Sequence, residues 1–217
     1  MRLYSYWRSS AAYRVRIALA LKGIAYECIP VHLVRDGGQQ HSPDYKRLNP
    51  GGRVPTLEVG GQAIYQSMAI LEWLEETHRE TPLLPADPIG RARVRGIAQL
   101  IVSDIQPLQN ISVTSYLRDE AHWASEQTAA WLRHWIGRGM AAVEQALEDP
   151  ATGRFCHGDS PTLADLCLVP QCYASRRFGV DVAAYPRIAA IEQHCLALPA
   201  FRAAAPEAQP DAEVGAR

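Results

Sequence analysis

The sequence predicts two fold regions, a mixed α/β region over about the first 80 residues and an all-helical region after it. In the first, short runs rich in branched residues alternate with amphipathic segments, a pattern typical of helices packed on a small sheet. In the second, apolar residues recur with helical period at about 88–118 and 124–147. A proline-rich stretch at 81–88 separates the two regions.

The first region opens with a strand and a helix. Residues 3–7 form a β-like run, and the helix after it begins at Ser9 and Ser10, whose side chains are typical N-terminal caps. Gly23 ends this helix, because glycine readily takes the left-handed conformation that closes a helix. Branched residues with a two-residue period predict a second strand at 25–31.

A hairpin and a further helix complete the first region. Runs at 54–59 and 62–65 flank a Gly-Gly pair, which predicts two antiparallel strands joined by a tight turn. Ser67 is predicted to cap an amphipathic helix that ends near His78. The resulting order, β-α-β-(α)-β-β-α, fits a small mixed sheet with helices packed on it.

The helices of the second region carry clear start signals. Asp87 followed by Pro88 is an N-cap with proline at the first helical position. Thr162 and Asp165 match a capping box with Asp in place of Glu. Shorter helices follow at 186–196 and 199–204. The polar tail at 206–217 is expected to fray.

Composition argues against several classes of protein. The chain has 22 Lys and Arg against 23 Asp and Glu, so no basic field favours nucleic acid or an anionic membrane. No apolar run reaches the roughly 20 residues of a membrane helix. Five cysteines without CxxC spacing and seven histidines without HxxxH pairing give no support to a disulfide framework or a metal site. This cysteine usage suits a reducing cytosol, so we expect a cytoplasmic protein.

The junction between the first strand and the first helix is a candidate anion site. Ser9 and Ser10 lie where free backbone N–H groups and the helix dipole stabilise negative charge. The same field lowers the pKa of a thiol held there, and a serine hydroxyl can donate to the thiolate. The alternative is that both hydroxyls only cap the helix.

Two further positions suit a peptide-like, acidic ligand. Val54-Pro55 heads a strand, and a cis bond there would expose the Val54 backbone N–H and C=O to a ligand. Gln66 and Ser67 open the third helix, whose N-terminus is suited to a carboxylate. Capping by Ser67 is again the alternative.

These signals occur within longer motifs in a fixed order. The first region contains SS-x-x-aromatic-R-V-R-I-A-L, D-G-G-Q-Q, N-P-x-x-x-V-P-T-L and Q-S-x-A-I-x-E-W-L-E, and the second contains I-Q-P-L-Q-N and T-L-A-D-L-C-L-V-P-Q. From residue 3 to about 210, the chain strongly resembles the zeta class of glutathione transferases, which includes maleylacetoacetate and maleylpyruvate isomerases.

The resemblance implies a thioredoxin-like α/β domain at 1–82, an all-α domain at 88–210, glutathione as cofactor and a homodimer. It assigns the glutathione site to Ser9, Ser10, Gln40, Val54, Gln66, Ser67, Gln106, Asn110 and Ser112.

Roles follow from the same resemblance. Ser9, with Ser10 beside it, is expected to hydrogen-bond the glutathione sulfur. Val54 is expected to bind the cysteinyl backbone, and Gln66 with Ser67 the γ-glutamyl carboxylate. The anion-site reasoning independently selects Ser9, Ser10 and the helix start at Gln66 and Ser67.

Two arginines are implied as catalytic residues together with the serine pair. By similarity, Arg8 and Arg176 hold the carboxylates of a dicarboxylate-like small molecule, a role that suits the fork geometry of arginine. The alternative for Arg176 is a helix-surface charge, because Arg177 is adjacent.

The implied reaction is glutathione-dependent cis–trans isomerisation of maleylacetoacetate to fumarylacetoacetate, in tyrosine and phenylalanine catabolism. Ala11 stands where the family commonly has cysteine, so the chemistry runs through glutathione sulfur. Gln106 favours maleylacetoacetate, since maleylpyruvate isomerase has histidine there. The alternatives are a maleylpyruvate isomerase of gentisate catabolism, a general conjugating transferase, and a non-catalytic binding module.

Overall fold

A computed structural model describes residues 1–213 and divides the chain into two compact units. The first combines residues 1–82 with the segment that begins at Leu196, and the second is Leu83–Cys195. The predicted order of an α/β region followed by a helical region is confirmed. The domain limits of 1–82 and 88–210 stay predictions, and by its contacts the segment from Leu196 belongs to the first unit.

The first unit is built on a four-stranded mixed sheet with the spatial order β2-β1-β3-β4. Its strands are β1 (Arg2–Ser5), β2 (Glu27–Pro30), β3 (Thr56–Val59) and β4 (Gln62–Tyr65). Strands β1 and β2 are parallel, whereas β3 is antiparallel to both β1 and β4. The hairpin is the one predicted, and its turn is made by two glycines with positive φ. Strands β1, β2 and β3 are each shorter than the predicted runs at 3–7, 25–31 and 54–59, and β1 begins one residue earlier than predicted.

The helices of the first unit cover this sheet. They are α1 (Ser10–Leu21), α2 (Pro43–Leu48), α3 (Ser67–Thr77) and, from the C-terminal segment, α10 (Pro199–Ala203). Helix α1 provides the crossover that the parallel pair β1 and β2 requires. It packs against α3 and α10, and every residue from Ala12 to Leu19 is buried.

A buried arginine joins the C-terminal segment to the first unit. Arg16 is 1% exposed, and its guanidinium donates to the carbonyls of Ala204 (3.0 Å) and Trp7 (2.9 Å) and to the hydroxyl of Ser5 (3.1 Å). Burial lowers the pKa of this group. The carbonyl dipoles offset the desolvation cost, so Arg16 fixes the end of β1 and the end of the chain together.

The tail is more ordered than its composition predicts. A 3₁₀ turn spans Pro206–Ala208, and the Asp211 carboxylate accepts from the backbone N–H of Trp7 at 3.0 Å. Glu213 accepts from His32 Nε2 at 3.1 Å. The expectation of fraying is therefore wrong as far as residue 213, because side chains at the end of the chain bind the first unit. Residues 214–217 lie outside the described part of the chain.

The second unit is helical. Its helices are α4 (Pro88–Gln99), α5 (Gln106–Gln109), α6 (Ile111–Asp119), α7 (Ser125–Ala146), α8 (Leu163–Arg177) and α9 (Pro186–Leu196). No helix in the described part of the chain combines the length and the apolar character that crossing a membrane requires.

The segment of helical period at 88–118 is helical, as predicted, but it is not one continuous helix. A π-helical segment, Leu100–Ile105, follows α4, and a new helix begins after Asn110, whose side chain accepts from the Ser112 N–H. Pro107 has no N–H to continue the ladder of α-helical bonds. The helical period of the apolar residues continues through these interruptions, so the period alone does not reveal them. Single-turn π segments often occur at functional sites.

The predicted capping box at the start of α8 is confirmed. Asp165 is fully buried, and one of its oxygens accepts from the backbone N–H (2.8 Å) and the hydroxyl (2.9 Å) of Thr162. The other oxygen accepts from the backbone N–H of Cys156 at 2.8 Å. Asp165 therefore ties the start of α8 to the loop before it.

Candidate functional site

The serine pair lies at the start of α1, as predicted. Ser9 is the N-cap, and its hydroxyl oxygen accepts from the Ala12 N–H at 3.2 Å. A hydroxyl has one proton to donate besides its lone pairs, so this bond leaves its O–H available as a donor. Ser9 and Ser10 are both half-buried. Capping and donation to an anion are therefore compatible at Ser9.

Arg8 lies on the loop just before this cap. Its guanidinium carbon is 4.4 Å from the centre of the Trp7 ring, a stacking geometry that restricts a flexible side chain. Trp7 itself is 2% exposed and is anchored through its backbone N–H to Asp211. Arg8 is half-buried on this fixed loop. The loop thus brings a cation and the Ser9 hydroxyl to one end of β1.

Val54 packs into the same end of the first unit. It belongs to a buried cluster with Tyr6, Trp7, Val31 and Tyr45, two of which come from the β1–α1 loop. The Val54-Pro55 bond is cis, as hypothesised. Within residues 1–213, no hydrogen bond uses the backbone N–H or C=O of Val54.

Two residues that the sequence reasoning missed hold the loop before Val54. The Tyr45 hydroxyl and the Asn49 amide both donate to the Arg53 carbonyl at 2.7 Å. Both side chains also lie within hydrogen-bond distance of the Thr56 hydroxyl. Asn49 belongs to the N-P-x-x-x-V-P motif, so its sequence signal was available.

Gln40 is buried, and it bonds to a residue that packs against this cluster. Its side-chain nitrogen donates to the Leu33 carbonyl at 3.2 Å, and Leu33 packs against the Val54 cluster. The Gln40 side-chain oxygen has no hydrogen-bond partner among the described residues. Buried polar atoms are nearly always paired in proteins, so this oxygen fits a ligand donor.

The start of α3 differs from the expectation in one respect. The N-cap is Gln66, with φ 70°, and its side chain makes no capping bond. Ser67 is the first helical residue and not the N-cap, and its hydroxyl accepts from the buried guanidinium of Arg14 at 2.7 Å. The first N–H groups of α3 thus receive no side-chain cap from Gln66. The positive end of the helix dipole and the charge of Arg14 both lie at this helix start.

The helical unit holds the remaining predicted residues in hydrogen-bond networks. The side-chain nitrogens of Gln106 (3.4 Å) and Gln109 (3.2 Å) donate to the side-chain oxygen of Gln171, which is fully buried on α8. Asn110 caps α6 and accepts from the Ser112 hydroxyl at 2.8 Å. Gln171 is the last residue of the T-L-A-D-L-C-L-V-P-Q motif, and its functional importance was not predicted. It fixes Gln106 directly after the π-helical segment.

Arg176 lies near the end of α8 and pairs with Glu192 of α9. Two of its guanidinium nitrogens bind the two carboxylate oxygens, one of them at 2.6 Å. Glu192 is 4% exposed, whereas about half of the Arg176 side chain faces solvent. The ion pair raises the pKa of Arg176. It uses two of the five donors of the guanidinium, so a second acceptor is geometrically possible.

Comparison with known proteins identifies relatives along nearly the whole chain. The family model of the glutathione S-transferase N-terminal domain matches residues 8–77. A maleylacetoacetate isomerase of Pseudomonas aeruginosa is 52% identical over 212 residues, which cover 97% of this chain and 98% of that protein.

Solved structures give the same result. The holo structure of a bacterial maleylpyruvate isomerase, described as a zeta-class glutathione transferase, has a TM-score of 0.95 and 46% identity over 98% of this chain and all of that one. A maleylacetoacetate isomerase of Methylobacterium extorquens, solved with malonate and glutathione, has a TM-score of 0.94 and 44% identity with the same coverage. With relatives of such identity along nearly its whole length, the chain belongs to the zeta-class glutathione transferase family of maleylacetoacetate and maleylpyruvate isomerases.

Proposed function

We propose that this enzyme catalyses the glutathione-dependent cis–trans isomerisation of maleylacetoacetate to fumarylacetoacetate, a step in tyrosine and phenylalanine catabolism. The observation that carries the proposal is the 52% identity with a maleylacetoacetate isomerase along 97% of the chain. The serine pair at the start of α1 and the uncapped start of α3 supply the chemistry that this reaction needs.

The residues of the first unit fit glutathione. The orphan oxygen of Gln40 suits a donor on the tripeptide, and the unused backbone groups of Val54 suit its peptide linkage. The start of α3 at Gln66 and Ser67 suits the γ-glutamyl carboxylate, because helix N-termini bind anions. We retain Gln106, Asn110 and Ser112 as predicted contacts from the helical unit.

Glutathione, when bound, supplies the thiolate nucleophile that adds reversibly to the cis double bond and allows rotation about it. The Ser9 hydroxyl donates a hydrogen bond to the sulfur and so lowers the pKa of the thiol. The N–H groups at the start of α1 also stabilise the negative charge of the thiolate. Ser10 occupies the first helical position beside it. Ala11 can supply no competing protein thiol.

Arg8 and Arg176 are proposed to bind the carboxylates of the substrate. Arg8, stacked on Trp7, also lies beside Ser9 in the chain and can stabilise the enolate-like charge that develops during addition. Glu192 holds the Arg176 guanidinium in a fixed orientation, which is the preorganisation that a clamp needs.

Maleylpyruvate is the second candidate substrate, favoured by the TM-score of 0.95 to a maleylpyruvate isomerase. Gln106 favours maleylacetoacetate. A glutathione-dependent absorbance assay with maleylacetoacetate, maleylpyruvate and a chlorinated aromatic side by side discriminates the alternatives. We expect the highest kcat/KM with maleylacetoacetate. Faster turnover of maleylpyruvate would reverse the assignment, efficient use of only the chlorinated aromatic would indicate a conjugating transferase, and no turnover would indicate a binding module.

We expect Arg8→Ala to raise KM for maleylacetoacetate and to lower kcat/KM by about 10- to 150-fold, the value of a charge-assisted hydrogen bond of about 1.5–3 kcal/mol. Arg8→Lys is the matched control, since it keeps the charge and loses the fork, and it should recover part of the loss. Steady-state kinetics at saturating glutathione measure both. Wild-type values for Arg8→Ala would remove Arg8 from the substrate site.

For Arg176→Ala we expect a rise in KM of at least about tenfold, because remote binding energy orients the reacting carbon. Glu192→Gln should raise KM less, since the guanidinium remains but its orientation is less restricted. Thermal unfolding measured on both variants separates the two roles of the pair. A lowered Tm with an unchanged KM would show that Arg176 only neutralises Glu192.

Alkylation should leave the activity intact. Burial raises the pKa of Cys156, Cys172 and Cys195, and also that of the half-buried Cys28, so few thiolates exist at neutral pH. We expect native enzyme treated with iodoacetamide, then freed of reagent, to keep at least about 80% of its activity, because Ala11 replaces the one cysteine that the family places in the site. Mass spectrometry reports the labelling, and loss of activity in proportion to labelling would show that a protein thiol is required.

A homodimer and a cytoplasmic location complete the proposal. The family relationship supports the dimer, and sedimentation of the purified enzyme tests it. The five cysteines form no disulfide bond in the described part of the chain, which supports a reducing compartment.

A further inference from the structure

Arg14 occupies an unusual position in α1. Its side chain is 1% exposed, and one terminal nitrogen donates to the hydroxyl oxygen of Ser67 at 2.7 Å. The two residues are 53 positions apart in the chain, and Ser67 is the first residue of α3. A buried positive charge thus lies directly behind the helix start at which we propose that the γ-glutamyl carboxylate binds.

This contact fixes what Ser67 can do. A guanidinium has donors and no acceptor, so the Arg14 bond must use a lone pair of the Ser67 oxygen. The Ser67 proton therefore remains available to donate elsewhere. A charge enclosed in the protein is also screened less by salt than an exposed one, so it reinforces the field of the α3 N-terminus.

We propose that Arg14 is a positioning residue for glutathione, which acts through Ser67 to orient a hydroxyl donor and to add positive charge beneath the γ-glutamyl carboxylate. This inference rests on the proposed function and adds to it a residue that does not itself touch the ligand. Arg14 is expected to contribute to the recognition of that one carboxylate and not to the binding of the rest of the tripeptide.

The other buried arginine of α1 provides a contrast. Arg16 directs its donors to the carbonyls of Trp7 and Ala204 and so holds segments of backbone together. Arg14 instead directs a donor to the side chain of a proposed ligand-binding residue. The same helix therefore carries one arginine with a structural target and one whose target belongs to the site.

The test uses two ligands that differ only in this carboxylate. Isothermal titration measures the Kd of the full-length enzyme for reduced glutathione and for 4-aminobutyryl-cysteinyl-glycine, which lacks the γ-glutamyl carboxylate. We expect wild type to prefer glutathione by at least about tenfold. In Arg14→Met, the Kd for glutathione should rise by about tenfold, while the Kd for the analogue stays within about twofold. Arg14→Lys should recover part of the preference.

Preference for glutathione over the analogue is a readout that a purely structural role would not move. An equal rise of both Kd values in Arg14→Met, or an unchanged preference, would overturn the inference. If wild type itself binds both ligands equally, the carboxylate site of the proposed function fails, and if it binds neither, glutathione is not the cofactor.

A second pair of variants keeps the test decisive if Arg14→Met does not fold. Arg14→Lys should lower the preference for glutathione by about two- to fivefold when Ser67 is present. It should have no further effect in the Ser67→Ala background, because Arg14 acts through that hydroxyl. Equal effects in both backgrounds, or no effect in either, would contradict the role assigned to Arg14.

Discussion

Ser9→Ala is expected to lower the turnover number by about 10- to 150-fold. The Ser9 hydroxyl oxygen accepts from the Ala12 N–H, and in the proposed function its O–H donates a hydrogen bond to the glutathione sulfur. Loss of a hydrogen bond to a charged group costs about 1.5–3 kcal/mol, which corresponds to that range of rates. The variant should also raise the pKa of the bound thiol, measured by the ultraviolet absorbance of the thiolate as pH is varied.

The capping role of Ser9 calls for a matched control. Alanine in place of a serine cap costs about 0.5–2 kcal/mol of stability, whereas glycine costs only a few tenths of a kcal/mol. Ser9→Gly should therefore match Ser9→Ala in turnover and exceed it in Tm. Turnover of Ser9→Ala within twofold of wild type would contradict the assignment, and a larger effect of Ser10→Ala would move the role by one residue.

Asp165→Ala is expected to cost at least about 3 kcal/mol of unfolding free energy. The substitution leaves the N–H of Cys156 and both the N–H and the hydroxyl of Thr162 without their acceptor in a buried place. Each unsatisfied buried donor costs about 1–3 kcal/mol. In a chain of this size such a loss lowers Tm by roughly 6–12 °C.

Two controls accompany this measurement. Asp165→Asn keeps the shape and one acceptor oxygen, so it should lose less stability than Asp165→Ala. Asp159 accepts from the Arg154 N–H at 3.2 Å on the surface, and Asp159→Ala should cost less than about 1 kcal/mol. Denaturant unfolding compares all three variants. If Asp159→Ala and Asp165→Ala lower the free energy of unfolding equally, burial of the capping box adds nothing to the stability of the protein.

Features that depend on neighbours in the chain were predictable from the sequence. The hairpin around the glycine pair and the capping box at Thr162 both follow local rules, and the structure confirms them. The position of the serine pair at the start of α1 was also predictable by local reasoning, whereas the anion site at the start of α3 stays a prediction.

Features that depend on distant partners were not predictable. Nothing in the sequence near Ser67 shows that Arg14 lies behind it, so a capping role was the natural expectation. The ion pair of Arg176 and Glu192 likewise joins two helices whose packing no single-sequence pattern specifies. The π-helical segment before Gln106 preserves the apolar period, so the period at 88–118 does not reveal it.

The bond between Arg16 and the carbonyl of Ala204 spans 188 residues and so sets an order for folding during synthesis. A chain growing from its N-terminus completes the sheet residues early, but Ala204, which supplies one acceptor for this cation, is made 188 residues after it. Until then Arg16 has the acceptors that lie near it in the chain, on Ser5 and Trp7 among others, and the loop that carries Arg8 and Ser9 lacks its anchor at Asp211. Binding of glutathione by the nascent enzyme should therefore begin only after Ala204 and Asp211 have been synthesised.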